Sequence, residues 1–146
     1  MKWASPIAQC QKLYEEVQNI VAGALLTPLA MPKSGDRLLL FASFQAGQVG
    51  MLAVSNPETP FQTGIVNLGL DAGPHAIALT DDGKRLDVTD YLLNEDYFGK
   101  IHFEGDHGIR VIKVLKDHLE LDSRFNPDFN TAFPAGPARP HGVAMK

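Results

Sequence analysis

Gly73-Pro74-His75-Ala76-Ile77-Ala78-Leu79-Thr80-Asp81-Asp82-Gly83-Lys84-Arg85-Leu86 decides the fold. Its opening recurs at Arg139-Pro140-His141-Gly142-Val143-Ala144-Met145. The earlier copy runs through the turn Asp81-Asp82-Gly83-Lys84 into the apolar and β-branched stretch Arg85–Tyr91, as a strand followed by a tight turn and a second strand would. The later copy stops at Lys146, so the chain reads as ending inside a repeat.

Working outward, the same order of signals appears upstream. Ser34-Gly35-Asp36-Arg37 is a turn before Leu38-Leu39-Leu40-Phe41-Ala42, an apolar run typical of a strand covered on both faces. Gln45-Ala46-Gly47-Gln48 turns into a strand over 49–54, and another follows around 64–68. Downstream of the second turn, strands are expected over 85–91, 108–114 and 119–122. Gly35 and Gly83 lie 48 positions apart, within the period of about 40 to 50 residues that four-stranded propeller blades show. The fold class is therefore mainly β: a partial β-propeller of two four-stranded antiparallel blades, residues 27–70 and 71–135, with a third starting at 136–146.

Before residue 27 the pattern differs. Trp3, Ile7, Cys10, Tyr14, Val17, Val21 and Ala24 alternate spacings of four and three, which marks one face of an α-helix spanning residues 1–26. Ser5-Pro6 suits its N-terminus and Gly23 with Pro28 its end. The stripe either packs on its own domain or forms a self-association seam, and Cys10 within it reads as a small core residue.

Composition excludes several functions. A net charge of −4, from 13 Lys+Arg against 17 Asp+Glu, supplies no basic surface for nucleic acid. The sequence has no spanning apolar run and no secretory signal pattern, which reads as a soluble, cytoplasmic protein without a membrane partner. One cysteine cannot form an internal disulfide. There is no nucleophile elbow, phosphate-cradling loop or His-Glu-x-x-His.

Among five histidines, His102 and His107 are a weak local chelate with Glu104 and Asp106 between them. They lie in the long connection 92–107, which is either a solvated excursion or a functional loop. His118 beside Asp117 reads as exposed. His75 and His141 each follow a proline and precede an apolar stretch, so they occupy one position in successive blades, where the innermost strands converge on a central channel. They are structural histidines or a metal pair, and imidazole suits copper, zinc, iron or nickel. Asp71 and Asp90 flank the His75 strand as partners that would orient an imidazole. Asp87, a charge inside a strand, reads as edge protection or as an unfavourable residue.

Residues 72–86, then Val88-Thr89-Asp90-Tyr91, Glu104-Gly105-Asp106-His107, Leu121-Asp122-Ser123-Arg124-Phe125 and Gly136-Pro137-Ala138-Arg139-Pro140-His141 together resemble the selenium-binding protein family, whose enzymatic members are methanethiol oxidases. The resemblance runs from about Leu29 to Lys146. It implies a β-propeller and a copper-dependent oxidation of methanethiol to formaldehyde, hydrogen sulfide and hydrogen peroxide, with His75 and His141 as the metal-ligand positions. A small thiol and oxygen would then be the substrates. Members of the family are several times longer, and their final motif favours Ala-His-Glu where this chain has Pro140-His141-Gly142. Their selenium-associated cysteine has no counterpart, since Cys10 lies in the helix-like segment. The alternative is a non-catalytic propeller fragment, a binding or interaction module that self-associates through its open blade edge and the N-terminal helix.

Overall fold

A computed structural model describes residues 26–30, 37–56 and 58–145 of the chain. The helix expected over 1–26, with Cys10, falls outside those residues except for Leu26. The described part is mainly β, with no helix among its residues.

Ten strands are present among the described residues: β1 Leu26–Ala30, β2 Leu38–Ser43, β3 Gln48–Ala53, β4 Phe61–Asn67, β5 Pro74–Leu79, β6 Arg85–Tyr91, β7 Asn94–Glu95, β8 Ile101–His102, β9 His107–Val114 and β10 Leu119–Leu121. They form two four-stranded antiparallel sheets, ordered β1-β2-β3-β4 and β5-β6-β9-β10, and the short ribbon β7-β8. Each large sheet is an up-and-down meander. The ribbon interrupts the second one between its middle strands, within the connection read from sequence as a loop.

Alternation within the strands explains how the sheets pack. Leu38, Leu40 and Ala42 of β2, with Val49, Met51 and Val66, meet Leu86, Val88, Ile112 and Leu119 of the second sheet in one core. The odd-numbered Leu39 and Phe41 of β2 pack with Leu52 and Val54 in a separate cluster on the opposite face. Strand β2 is thus buried along its whole length, as its unbroken apolar run requires. Phe41 stands opposite Gly50, and its ring fills the space a side chain at Gly50 would need, with a Cβ there only 2.2 Å from the ring.

Both sheets carry an irregularity in their first strand. The pairing of β1 with β2 skips Pro28, and the pairing of β5 with β6 skips His75. One extra residue against a regular partner is a β-bulge, which bends the strand and re-aims a side chain. The third unit expected at 136–146 is not formed as a strand: residues 122–145 hold turns, bends and one isolated bridge, Gly108 to Asp128.

A strand needs a ladder, and among the described residues no backbone–backbone hydrogen bond holds 139–145. That segment instead lies along the second sheet. Because Leu86 and Val88 face the inter-sheet core, Arg85, Asp87, Thr89 and Tyr91 point the other way. His141 meets Tyr91, while the Met145 sulfur lies 4.0 Å from the Arg85 guanidinium. The segment therefore runs the length of β6 over this second face. Asp87 and Thr89 are buried there. Asp87 sits on a central strand and pairs with Arg85 at 3.2 Å, so it is not edge protection.

Candidate functional site

Three strands of the second sheet end together. His75 lies near the start of β5, Tyr91 ends β6, and His107 opens β9 directly opposite Tyr91. A regular β5 would aim His75 to the side of Ile77 and Leu79, which pack against the core. The bulge breaks that alternation, and the Ala76 amide donates to Thr89 Oγ1 at 3.1 Å. The His75 imidazole thereby reaches Tyr91, with ring centroids 5.7 Å apart and nearly edge-on.

The C-terminal segment brings in the second histidine. The rings of His141 and His75 are 4.5 Å apart, tilted by 34°, and His141 lies 4.9 Å from Tyr91. Phe44, from the β2–β3 turn, and Phe103 add aromatic walls at 6.3 Å from His75 and Tyr91 respectively. The Arg139 guanidinium sits 4.8 Å over the Phe103 ring, a cation–π contact. The two positions singled out in the sequence thus meet at one end of one sheet.

Burial, and then the charge of His141, hold the His75 imidazole below the usual histidine value, opposed by a backbone hydrogen bond to His141. His75 Nδ1 is buried without a hydrogen-bond partner among the described residues. A neutral imidazole with an unengaged nitrogen is a donor that a soft or borderline metal ion accepts. Among the described residues no three His, Cys, Asp or Glu side chains converge on one point, so this donor set is a pair.

A polar layer lies behind the pair. His107 is 1% exposed. Its Nδ1 lies 3.0 Å from Asn130 Oδ1, and Asn130 Nδ2 donates to the Gly105 carbonyl at 3.2 Å. With the amide oriented by that carbonyl, His107 donates through Nδ1, leaving Nε2 as a buried nitrogen with no partner among the described residues. Asp90, fully buried, accepts from Arg110 Nε at 2.5 Å. Arg110 also donates to Asp106 at 3.1 Å and to Asn126. A polar cleft of about 440 Å³ opens beside this network, lined by Leu68, Arg110, Asn126 and Asp128 among others.

Asp90 does not orient His75: its Oδ2 accepts from Arg110, and its Oδ1 has no hydrogen-bond partner among the described residues. Asp71 engages through its backbone carbonyl, which accepts from the Asp106 amide. His102 and His107 do not chelate together: His102 pairs with Asp96 at 2.9 Å within the ribbon, while His107 is buried against Asn130. His118 is exposed and bonded to Asp117, as read. Tyr91, Arg110, Asn126 and Asn130 were not singled out from the sequence. Arg110 did leave a signal, being a charge in the apolar run Ile109-Arg110-Val111-Ile112, diagonal across the strand pair from the equally misplaced Asp90.

No protein-family model and no curated protein matches the chain. Among solved structures it is similar to a hypothetical selenium-binding protein from Sulfolobus tokodaii, with 25% identity and a TM-score of 0.60, over 78% of this chain and 28% of that one. A protein from Lactobacillus plantarum aligns at 14% identity and a TM-score of 0.42, over 75% of this chain and 43% of the other. The chain thus spans under a third of the first structure and under half of the second. No helix among the described residues is long and apolar enough to cross a membrane.

Proposed function

We propose that the chain is a two-blade portion of a β-propeller of the selenium-binding protein type, and that His75 and His141 hold a copper ion. The meeting of these two imidazoles at the end of the second sheet carries the reading. The orphaned Nδ1 of His75 and the two-imidazole donor set fit such an ion. Copper bound there would supply redox chemistry, in the family the conversion of methanethiol, dioxygen and water to formaldehyde, hydrogen sulfide and hydrogen peroxide.

The chain's own residues contribute in stated ways. His75 is kept neutral, so its nitrogen lone pair is available at neutral pH. His141 is exposed and His75 part-buried, so the pair is open to solvent, and Phe44, Tyr91 and Phe103 give a small, apolar thiol a compatible wall on one side. The two blades cover a minor share of the matched structure, so catalysis requires further polypeptide, and the chain alone binds metal without turning over substrate.

A second reading, a non-catalytic binding module, is favoured by the absence of a third donor among the described residues. Copper content after reconstitution and dialysis separates the two. The expected result is one copper per chain for the wild type and under a tenth of that for His75→Ala and His141→Ala. Unchanged copper in both variants would sink the metal reading and leave the binding module.

A further inference from the structure

We infer that Tyr91 is the positioning residue that holds His141 over His75, and that it does so with its ring rather than its hydroxyl. The two histidines are held very unequally. His75 belongs to β5, inside a hydrogen-bonded sheet, whereas His141 lies on a segment without a ladder. Among the described residues the ring contacts of His141 are with His75 and Tyr91. A hydrogen bond joins the His75 side chain to the His141 backbone, and the His141 imidazole itself is oriented against those two rings.

Tyr91 is built for that task. It ends a central strand, its amide donates to the Gly73 carbonyl at 3.0 Å, and it faces His107 across the β6–β9 pair. Four rings surround it: His75, Phe103, His107 and His141, at 5.7, 6.3, 6.2 and 4.9 Å, all crossing at steep angles. Edge-to-face contacts of this kind favour defined orientations. His107 is itself locked by Asn130, so the Tyr91 ring is braced from behind. Two residues before His141, Arg139 rests on Phe103, which in turn meets Tyr91. The segment is therefore pinned to the same aromatic group at two points.

The proposal is tested first without metal. In the metal-free protein, ring-to-ring nuclear Overhauser contacts between His75 and His141 are expected in the wild type and in Tyr91→Phe, and lost in Tyr91→Leu. Tyr91→Met, which keeps volume without a flat ring, replaces the leucine variant should that one not fold. A surviving His75–His141 contact in a folded variant lacking the ring overturns the proposal. Equal loss in Tyr91→Phe also overturns it, because the hydroxyl would then be the holding group.

The second arm rests on the copper reading above. Copper(II) is expected to bind 10- to 100-fold more weakly to the leucine variant, the usual loss when a supporting group is removed. Its electron paramagnetic resonance spectrum should show one coupled nitrogen in place of two. If the wild type takes up no copper while the ring contacts behave as described, the metal reading fails and the positioning role stands. If copper binding depends on His75 and His141 but not on the Tyr91 ring, the positioning role fails and the metal reading stands.

Discussion

Replacing Arg110 with methionine is expected to lower stability by about 3 kcal/mol at pH 7.5 and by far less at pH 5, read from urea unfolding at the two pH values. Methionine keeps most of the volume of the arginine stem but leaves Asp90 without its counter-charge. Asp90 is fully buried, and one of its oxygens has no hydrogen-bond partner among the described residues. Burial outweighs the attraction of Arg110 and pushes the carboxyl up to about 6.

A carboxyl raised above its unfolded value, about 3.9, favours folding while it is protonated. That contribution is present below about pH 4 and is lost as pH rises through about 6. At pH 5 the folded carboxyl is largely protonated with or without Arg110, so losing the guanidinium matters little. At pH 7.5 it must either ionise unpaired or hold a proton against the solvent. Asp106, the other acidic partner, is half exposed, so its share of the loss is small. A loss at pH 5 equal to or larger than that at pH 7.5 would mean that Arg110 acts through packing rather than charge.

The same pair shows where sequence reading succeeds and where it stops. The strands were legible because their signals are local: the double-sided burial of β2, the turn at 81–84 and the boundaries of β6 follow from period and turn chemistry. The ribbon β7–β8 was not legible, since each arm has two residues, too few for any period. His75 and His141 stand out in sequence as equivalent positions of two blades, yet they meet because the second copy is not a strand and folds back on the first. Their geometry was not legible, because it depends on a bulge at His75 and on Tyr91, which looks in sequence like an ordinary strand residue. The buried Asp90–Arg110 pair was half visible as two charges in apolar runs, but their partnership needs the register of β6 against β9.

Gly73→Ala is expected to destabilise the protein by about 3 kcal/mol, a fall in thermal midpoint of about 10 °C, and to weaken the copper binding proposed for the His75–His141 pair. Gly73 has φ of +53°, and a Cβ there would stand 2.7 Å from Leu92 Cα and 2.9 Å from Leu92 N. The left-handed backbone costs an L-residue about 1–2 kcal/mol. The clash adds to it, because the atoms in the way are backbone at the end of β6 and cannot rotate aside. Gly136→Ala is the comparison: nothing lies within 4 Å of the added carbon and φ there is 113°, outside the left-handed well, so its loss comes from backbone strain alone. A loss at Gly73 of only about 1–2 kcal/mol, the strain of the left-handed backbone by itself, would remove the close approach of Leu92 as a cause. The comparison also accounts for the unequal fate of the two Pro-His copies. In the first, the residue two before the histidine is a glycine whose left-handed turn lets its carbonyl accept the Tyr91 amide and feeds the chain into β5. In the second it is Arg139, and no non-glycine residue has positive φ among those described. The second copy thus cannot repeat the turn. It enters as an unladdered segment, held by Arg139 on Phe103 and by His141 on Tyr91 and His75, and the same difference that denies it a strand leaves its histidine free to fold back onto the first.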